Sequence, residues 1–181
     1  MAQGTPELID GLKKIDPLQP YGTEFFNALA KLTVSVAVEA VCLRLQRYLP
    51  EIDATTLMEI QVYLVQRSPD DTAYPGEWHC PGSIMRPGES FEDVLRRLSE
   101  KEFGANLVST RFVANINPSK LEPEVRGTFL SVVYLCVFEE KEGLRGKWFP
   151  VNNLPEKTVK CHRERIIPCA LGAFLADNPN I

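Results

Sequence analysis

The sequence predicts one α/β domain, and three observations carry that expectation. Period-2 alternation with a β-branched bias runs through Thr33–Arg44 and Leu57–Gln66 and marks two strands. An apolar stripe at helical spacing, Phe91, Val94, Leu95 and Leu98, lies between a Ser90 cap and Gly104. The chain has 181 residues, 44% apolar and 24% charged. A chain of that length buries roughly 70% of its unfolded surface and needs no disulfide or structural metal to hold a core.

The elements follow in order. Thr5 and Pro6 form an N-cap and first-turn pair for a short helix, Glu7 to Ile15, closed at Asp16-Pro17. A second helix is expected over Thr23 to Lys31. Leu8, Leu12, Phe25, Phe26 and Leu29 in this segment need burial, either on the domain, the expected outcome, or in an oligomer contact. One long strand is expected over Thr33 to Arg44 and another over Leu57 to Gln66, followed by a loop dense in Pro, Asp and Gly. Ser90 opens a helix with Asp93 completing an approximate capping box, and Gly104 ends it. Val108–Ile116 and the near-continuous apolar run Thr128–Glu139 read as strands, the second suited to the middle of a sheet. A short apolar piece, Trp148–Val151, precedes a closing helix from about Glu156 to Ala176, with Pro168 delaying or kinking it.

Twenty basic residues against twenty-four acidic ones give a net charge of −4, with no polybasic run for nucleic acid or a membrane. The pI of about 5.3 also speaks against nucleic acid. The five cysteines, Cys42, Cys80, Cys136, Cys161 and Cys169, contain no CxxC spacing and fall mostly in apolar segments, which fits reduced thiols and a cytoplasmic address. Acids and prolines interrupt the first thirty residues where a signal peptide needs an apolar core, and no uncharged apolar run reaches 18 residues.

The segment Gly76–Leu107, GEWHCPGSIMRPGESFEDVLRRLSEKEFGANL, carries the chemistry. It resembles the box of the Nudix family, G-x5-E-x7-R-E-U-x-E-E-x-G-U with U aliphatic, which follows a tryptophan and a Pro-Gly-Gly turn. Trp78, Pro81, Gly82, Gly88, Glu89, Arg97, Glu102 and Gly104 fall in register. The resemblance covers roughly Thr33 to Ala176. It implies a mixed β-sheet sandwiched between helices and a Nudix domain at 32–181, and it leaves the N-terminal helical extension read at 1–31 unexplained. It also implies Mg²⁺ or Mn²⁺ as cofactor if the protein is an active hydrolase and a nucleotide-type small molecule as partner. The lack of a long apolar run leads to the expectation of no membrane, and the apolar residues of 1–31 to that of a possible homodimer.

The departures bear on function. Ser83 stands at the box's opening glycine, Leu98 at the glutamate after the arginine, Ser99 at the aliphatic position and Lys101 at the first of the paired glutamates. Of three glutamates that gather cations in the family, only Glu102 remains. Diphosphate hydrolysis needs hard cations on carboxylate oxygens to neutralise developing charge and acidify the attacking water. On a straight α-helix with Phe91 at zero, Glu102 falls near about 20°, Lys101 near about 280° and Glu100 near about 180°, so Glu100 points away. A replacement acid would come from a loop, with Glu122, Glu124, Glu139, Glu140 and Glu142 as candidates.

The resemblance makes Glu102 and Arg97 the expected catalytic residues, Glu102 and Glu89 the expected metal ligands, and Lys101 and Arg126 the expected ligand contacts. Glu89 and Arg97 are also expected to pair across loop and helix. Lys101 is either a built-in phosphate counter-ion or a solvated cation at the helix C-terminus. His79 and Cys80 read as strand packing, since neither has a partner at metal-ligand spacing. His162, Arg163 and Arg165 read as a solvated basic face, and Trp148 and Phe149 as core or as a base-stacking pair.

Two functions follow. One is a divalent-cation-dependent hydrolase of a nucleoside diphosphate linked to another moiety, with impaired activity. The other is a non-hydrolytic ligand-binding or regulatory module. An isoprenyl diphosphate isomerase, also built on this fold, ranks third, because Cys42 and Cys80 read as buried.

Overall fold

A computed structural model describes residues 5–17, 19, 22–48, 57–117, 125–139 and 142–179. Helices α1 (Pro6–Lys13) and α2 (Thr23–Leu32) precede strands β1 (Val34–Val41), β2 (Leu43–Tyr48) and β3 (Leu57–Gln66). Short strands β4 (Trp78–His79) and β5 (Gly82–Ile84) lead into helix α3 (Phe91–Leu98). Then come β6 (Leu107–Ile116), β7 (Thr128–Phe138), β8 (Lys147–Pro150) and helix α4 (Ile167–Asp177).

The strands form two four-stranded sheets. In the first the order is β5-β1-β7-β6, with β1 and β7 parallel and the remaining pairs antiparallel. In the second, β3 pairs antiparallel with β2, β4 and β8. Strand alternation then builds a core on each face. Val38, Ala40, Tyr63, Val65, Cys136 and Phe138 pack with Val94, Leu95, Leu98 and Phe103 from the α3 side. Val41, Val62, Leu64 and Val133 pack with Ile166, Ile167 and Ala170 from the α4 side. This is the mixed sheet between helices that the sequence resemblance implied.

Two expected elements are corrected. The long strand Thr33–Arg44 is two strands, because Cys42 breaks the run: its carbonyl accepts the Tyr63 N–H at 3.0 Å, β1 stays with β7, and β2 crosses to β3. The closing helix starts later than Glu156. Lys157 O accepts the Trp78 N–H at 2.7 Å and Val159 N–H donates to Trp78 O at 2.9 Å, a two-bond parallel bridge that holds 157–159 extended. A π-helical turn, His162–Ile166, then feeds α4, with Pro168 in its first turn, where a missing N–H costs little.

The box helix carries the capping box: Ser90 Oγ accepts from Asp93 N, and Asp93 Oδ2 accepts from Ser90 N at 3.0 Å. It does not run straight to Gly104. From Ser99 to Phe103 it widens into a π-helical turn, closed by Gly104 N–H donating to Ser99 O at 2.9 Å, with Gly104 at φ 69°. A side chain at that φ would be strained.

The N-terminal segment folds back in part. Ala30 of α2 is buried, whereas α1 exposes Leu8, Ile9 and Leu12. Trp148 packs against the core, stacked on Phe138 at 5.7 Å, with Tyr63 edge-on at 5.5 Å and the Arg44 guanidinium over its ring at 4.3 Å. All five cysteines are free thiols, and Cys42, Cys80 and Cys136 are buried. Among the described residues no helix is long and apolar enough to cross a membrane.

Candidate functional site

A cleft of about 880 Å³ opens where β1, β5, the Arg67–Tyr74 loop, the C-terminal turn of the box helix and α2 meet. Of the expected site residues, Arg97, Glu102 and Arg126 line it; Glu89 stands behind Arg97; Lys101 does not line it.

Arg97 and Glu89 form a closed unit. Arg97 Nε donates to Glu89 Oε1 at 2.9 Å and Nη2 donates to Oε2 at 2.8 Å, the bidentate fork that suits guanidinium and carboxylate. Nη1 donates to Ser83 Oγ at 2.5 Å and Nη2 to Ile84 O at 3.1 Å, while Arg86 N–H adds a 2.8 Å bond to Glu89 Oε2. Ser83, one of the departures from the box, thus supplies an acceptor to the arginine. The Arg97 hydrogen bonds, set against some burial, hold the Glu89 carboxyl below its usual range. Both Glu89 oxygens are already engaged with protein donors, and the pair fixes the loop between β5 and α3.

The other box positions explain themselves by packing. Leu98 is 1% exposed and sits in the α3-side core, where a carboxylate would be desolvated without compensation. Ser99 is buried, and its hydroxyl donates to Arg96 O at 2.7 Å. Lys101 is exposed at the π-helical turn, and Arg145 donates to its backbone carbonyl. The widened turn leaves the lysine outside the cleft lining. Glu100 is exposed as well. Glu102 reaches the cleft half-buried; burial raises its pKa, opposed by Arg67, Arg145 and Lys101.

Arg126, an expected ligand contact, belongs to a charged cluster whose other members, Asp71 and Arg67, are not among the expected residues. Asp71 joins two arginines from segments far apart in sequence: Arg67 Nη1 donates to Oδ2 at 3.0 Å and Arg126 Nη2 to Oδ1 at 2.7 Å. Oδ1 also accepts the Ala73 and Tyr74 N–H groups, each at 2.9 Å. Burial pushes the Asp71 carboxyl up, but those two amides and Arg126 outweigh it and hold the carboxyl well below the ordinary range. The Nε atoms of both arginines are buried without a hydrogen-bond partner. Two guanidiniums on one carboxylate leave that trio with one unit of positive charge, in a cleft that Glu39 and Glu102 also line.

Glu39, within the strand expected over Thr33–Arg44, is buried and lines the cleft. Gly82 makes room for it, since a Cβ at 82 would overlap the Glu39 carboxylate. His162 is corrected outright: it is buried, not on a solvated basic face. Its Nδ1 accepts the Cys80 N–H at 3.2 Å, and its ring meets His79 edge to face at 5.8 Å. Burial, then the Arg67 charge, lowers the His162 pKa to about 3. Burial, Arg67 and His162 push His79 down in the same way. Both rings line the cleft floor as neutral imidazoles at physiological pH. Arg163 donates to the Pro155 and Glu156 carbonyls and Arg165 to Asn117 O at 2.7 Å, so neither is a loose cation.

The divalent cation implied by the box meets an unfavourable donor set. Among the described residues, no three His, Cys, Asp or Glu side chains come together in a way that could hold a metal ion. Of the loop acids, Glu139 accepts from Asn106 Nδ2 at 3.0 Å, Glu142 is exposed, and neither lines the cleft. Glu122, Glu124 and Glu140 lie outside the described residues.

Known proteins share this architecture. A mutT/nudix family protein from Listeria innocua superposes with a TM-score of 0.60 at 15% identity, covering 81% of this chain and 98% of that one. NrtR from Shewanella oneidensis gives 0.57 at 18% identity, over 78% of this chain and 63% of that one. The NUDIX domain of the same NrtR, in a cocrystal with ADP ribose, gives 0.54 at 19% identity over 92% and 97%. At these identities the likeness is one of fold. In sequence, 65 residues are 35% identical to the nucleoside triphosphatase NudI of Escherichia fergusonii, 35% of this chain and 43% of that protein, so the match spans less than half of the curated relative. The family model described as NUDIX domain matches residues 50–168, and on that match and this fold the chain belongs to the Nudix family.

Proposed function

We propose that the cleft binds a nucleotide-type organic phosphate through Arg67 and Arg126, without a resident metal cluster, and that hydrolysis is slow or absent. The observation that carries this is the pairing of both guanidiniums on Asp71 at the cleft lining, while the box carboxylates fail to gather. A guanidinium fork matches phosphate oxygens, and being held by Asp71 it loses little side-chain freedom on binding. In this reading the positive charge comes from the arginine pair rather than from Lys101. Arg97 and Glu89 hold the loop that shapes the cleft, and Glu102 is the box carboxylate that reaches the cleft, alongside Glu39 from β1. The ADP ribose bound by the NrtR domain makes a diphosphate-linked nucleoside a reasonable first probe. The five free thiols accord with a reducing, cytoplasmic setting.

The second reading, a divalent-cation-dependent hydrolase acting on a nucleoside phosphate, rests on Glu102 at the cleft and on the similarity to NudI. There a cation would lean on Glu102 and on the substrate's own phosphates, since hard Mg²⁺ needs only one or two protein carboxylates when phosphates complete its shell. A thermal-shift panel of nucleotides and ADP ribose, in Mg²⁺ and in EDTA, followed by phosphate-release assays, separates the two. Equal stabilisation in EDTA without product supports the binding function. Stabilisation only in Mg²⁺, with product lost in Glu102→Gln, supports the hydrolase.

A further inference from the structure

The family match begins at residue 50, so it leaves α2 unexplained. Yet α2 lies against the cleft: Phe26, Leu29 and Ala30 line the same space as Arg67 and Arg126. Two contacts fix it there, and both touch the arginine pair's own supports. Asn27 Nδ2 donates to Thr72 Oγ1 at 3.2 Å, next to Asp71. On the other side α2 meets Gly127, next to Arg126, so closely that a Cβ at 127 would collide with the Ala30 backbone carbonyl. Asp71 and Arg126 are themselves bonded at 2.7 Å. Both contacts thus join α2 to chain positions next to Asp71 and Arg126, which sets apolar surface from the helix beside the guanidiniums.

We infer that α2 is the specificity wall of this cleft: it recognises a flat, aromatic part of an organic phosphate whose charged end sits on Arg67 and Arg126. This inference rests on the organic-phosphate reading above. Phe26 and Leu29 from α2, together with Phe129 from β7, give the cleft a half suited to a ring and not to a bare anion. The 880 Å³ volume accommodates more than a diphosphate group. Residues before the family match thus decide which phosphate is retained.

Calorimetric titration of the full chain in EDTA tests this with two probes that share a diphosphate, adenosine diphosphate and inorganic pyrophosphate. The wild type is expected to favour the nucleotide by about tenfold or more, the scale of one base–aromatic stack. Phe26→Ala is expected to lower nucleotide affinity about tenfold and leave pyrophosphate unchanged. Arg126→Met weakens both. Gly127→Ala, which displaces α2 without altering a side chain in the cleft, reproduces the loss of preference, with far-UV circular dichroism confirming that the variant is folded. A wild type that binds both probes equally, or a Phe26→Ala protein that keeps its preference, overturns the inference and leaves the organic-phosphate reading standing. A wild type that binds neither probe overturns both.

Discussion

His162 converts the cleft's burial into a measurable pH dependence. Its Nδ1 lone pair accepts the Cys80 N–H and its ring is buried beside Arg67 and His79, so the folded state holds it neutral, with a pKa of about 3 against an ordinary 6.5. The unfolded chain binds the proton first, so stability present above the unfolded pKa is lost as pH falls from about 6.5 toward about 3. Between pH 7 and pH 5 the loss from this one group is about 2 kcal/mol. Asp71 and Glu89, whose pKa values lie below their ordinary 3.8 and 4.5, act in a more acidic window. Glu102, raised by burial, acts with the opposite sign, and His79 with the same sign. Comparison with His162→Asn cancels the Asp71, Glu89 and Glu102 contributions and the part of the His79 shift that burial and Arg67 cause, because an amide oxygen can accept the Cys80 N–H but does not titrate. Urea unfolding followed by tryptophan fluorescence at pH 5, 6 and 7 should show the wild type losing about 2 kcal/mol more than the variant. Parallel stability curves would refute the neutral buried imidazole.

Three substitutions extend the test to the rest of the site. Glu89→Gln leaves Arg97 with half of its carboxylate fork and should lower unfolding stability by about 2 kcal/mol in urea, discounted for the pair's partial exposure. Leu98→Glu restores the family's residue but places a carboxylate in the α3-side core; a loss of about 3 kcal/mol, seen as a lower Tm, and no gain in phosphate release are expected. Gly82→Ala drives a methyl into the space of the Glu39 carboxylate and should cost about 1–3 kcal/mol by the same unfolding assay.

Local rules made much of the fold readable. The Ser90–Asp93 box, the stop at Gly104 and the alternation in Leu57–Gln66 are each decided within a few residues, and the structure has all three. The errors arose where distant partners decide. Nothing near Cys42 says that its carbonyl meets Tyr63, and nothing near Lys157 says that it bridges to Trp78, so one strand ran too long and one helix began too early. The site divides in the same way. Glu89 and Arg97 are eight residues apart and their pairing follows from the box, whereas Asp71 and Arg126 are separated by 55 positions. An Asp in a turn two residues before Ala73 is a legible Asx signal. Which cations it would gather is fixed only when β3 and β7 bring their ends together. His162 was misplaced for a related reason: its flanking arginines suggested solvent, but the π-helical turn directs their side chains to the carbonyls of Pro155, Glu156 and Asn117 and the imidazole inward.

The central claim is that an arginine pair, not a metal cluster, holds the ligand's phosphates. Calorimetric titration of ADP ribose into the wild type and Arg126→Met, each in Mg²⁺ and in EDTA, tests it most directly. The account predicts the same wild-type affinity in both buffers, a loss of about tenfold or more in Arg126→Met, as for a charge-assisted hydrogen bond, and little or no product over the titration. Binding that appears only in Mg²⁺, is indifferent to Arg126→Met and proceeds to hydrolysis would contradict it.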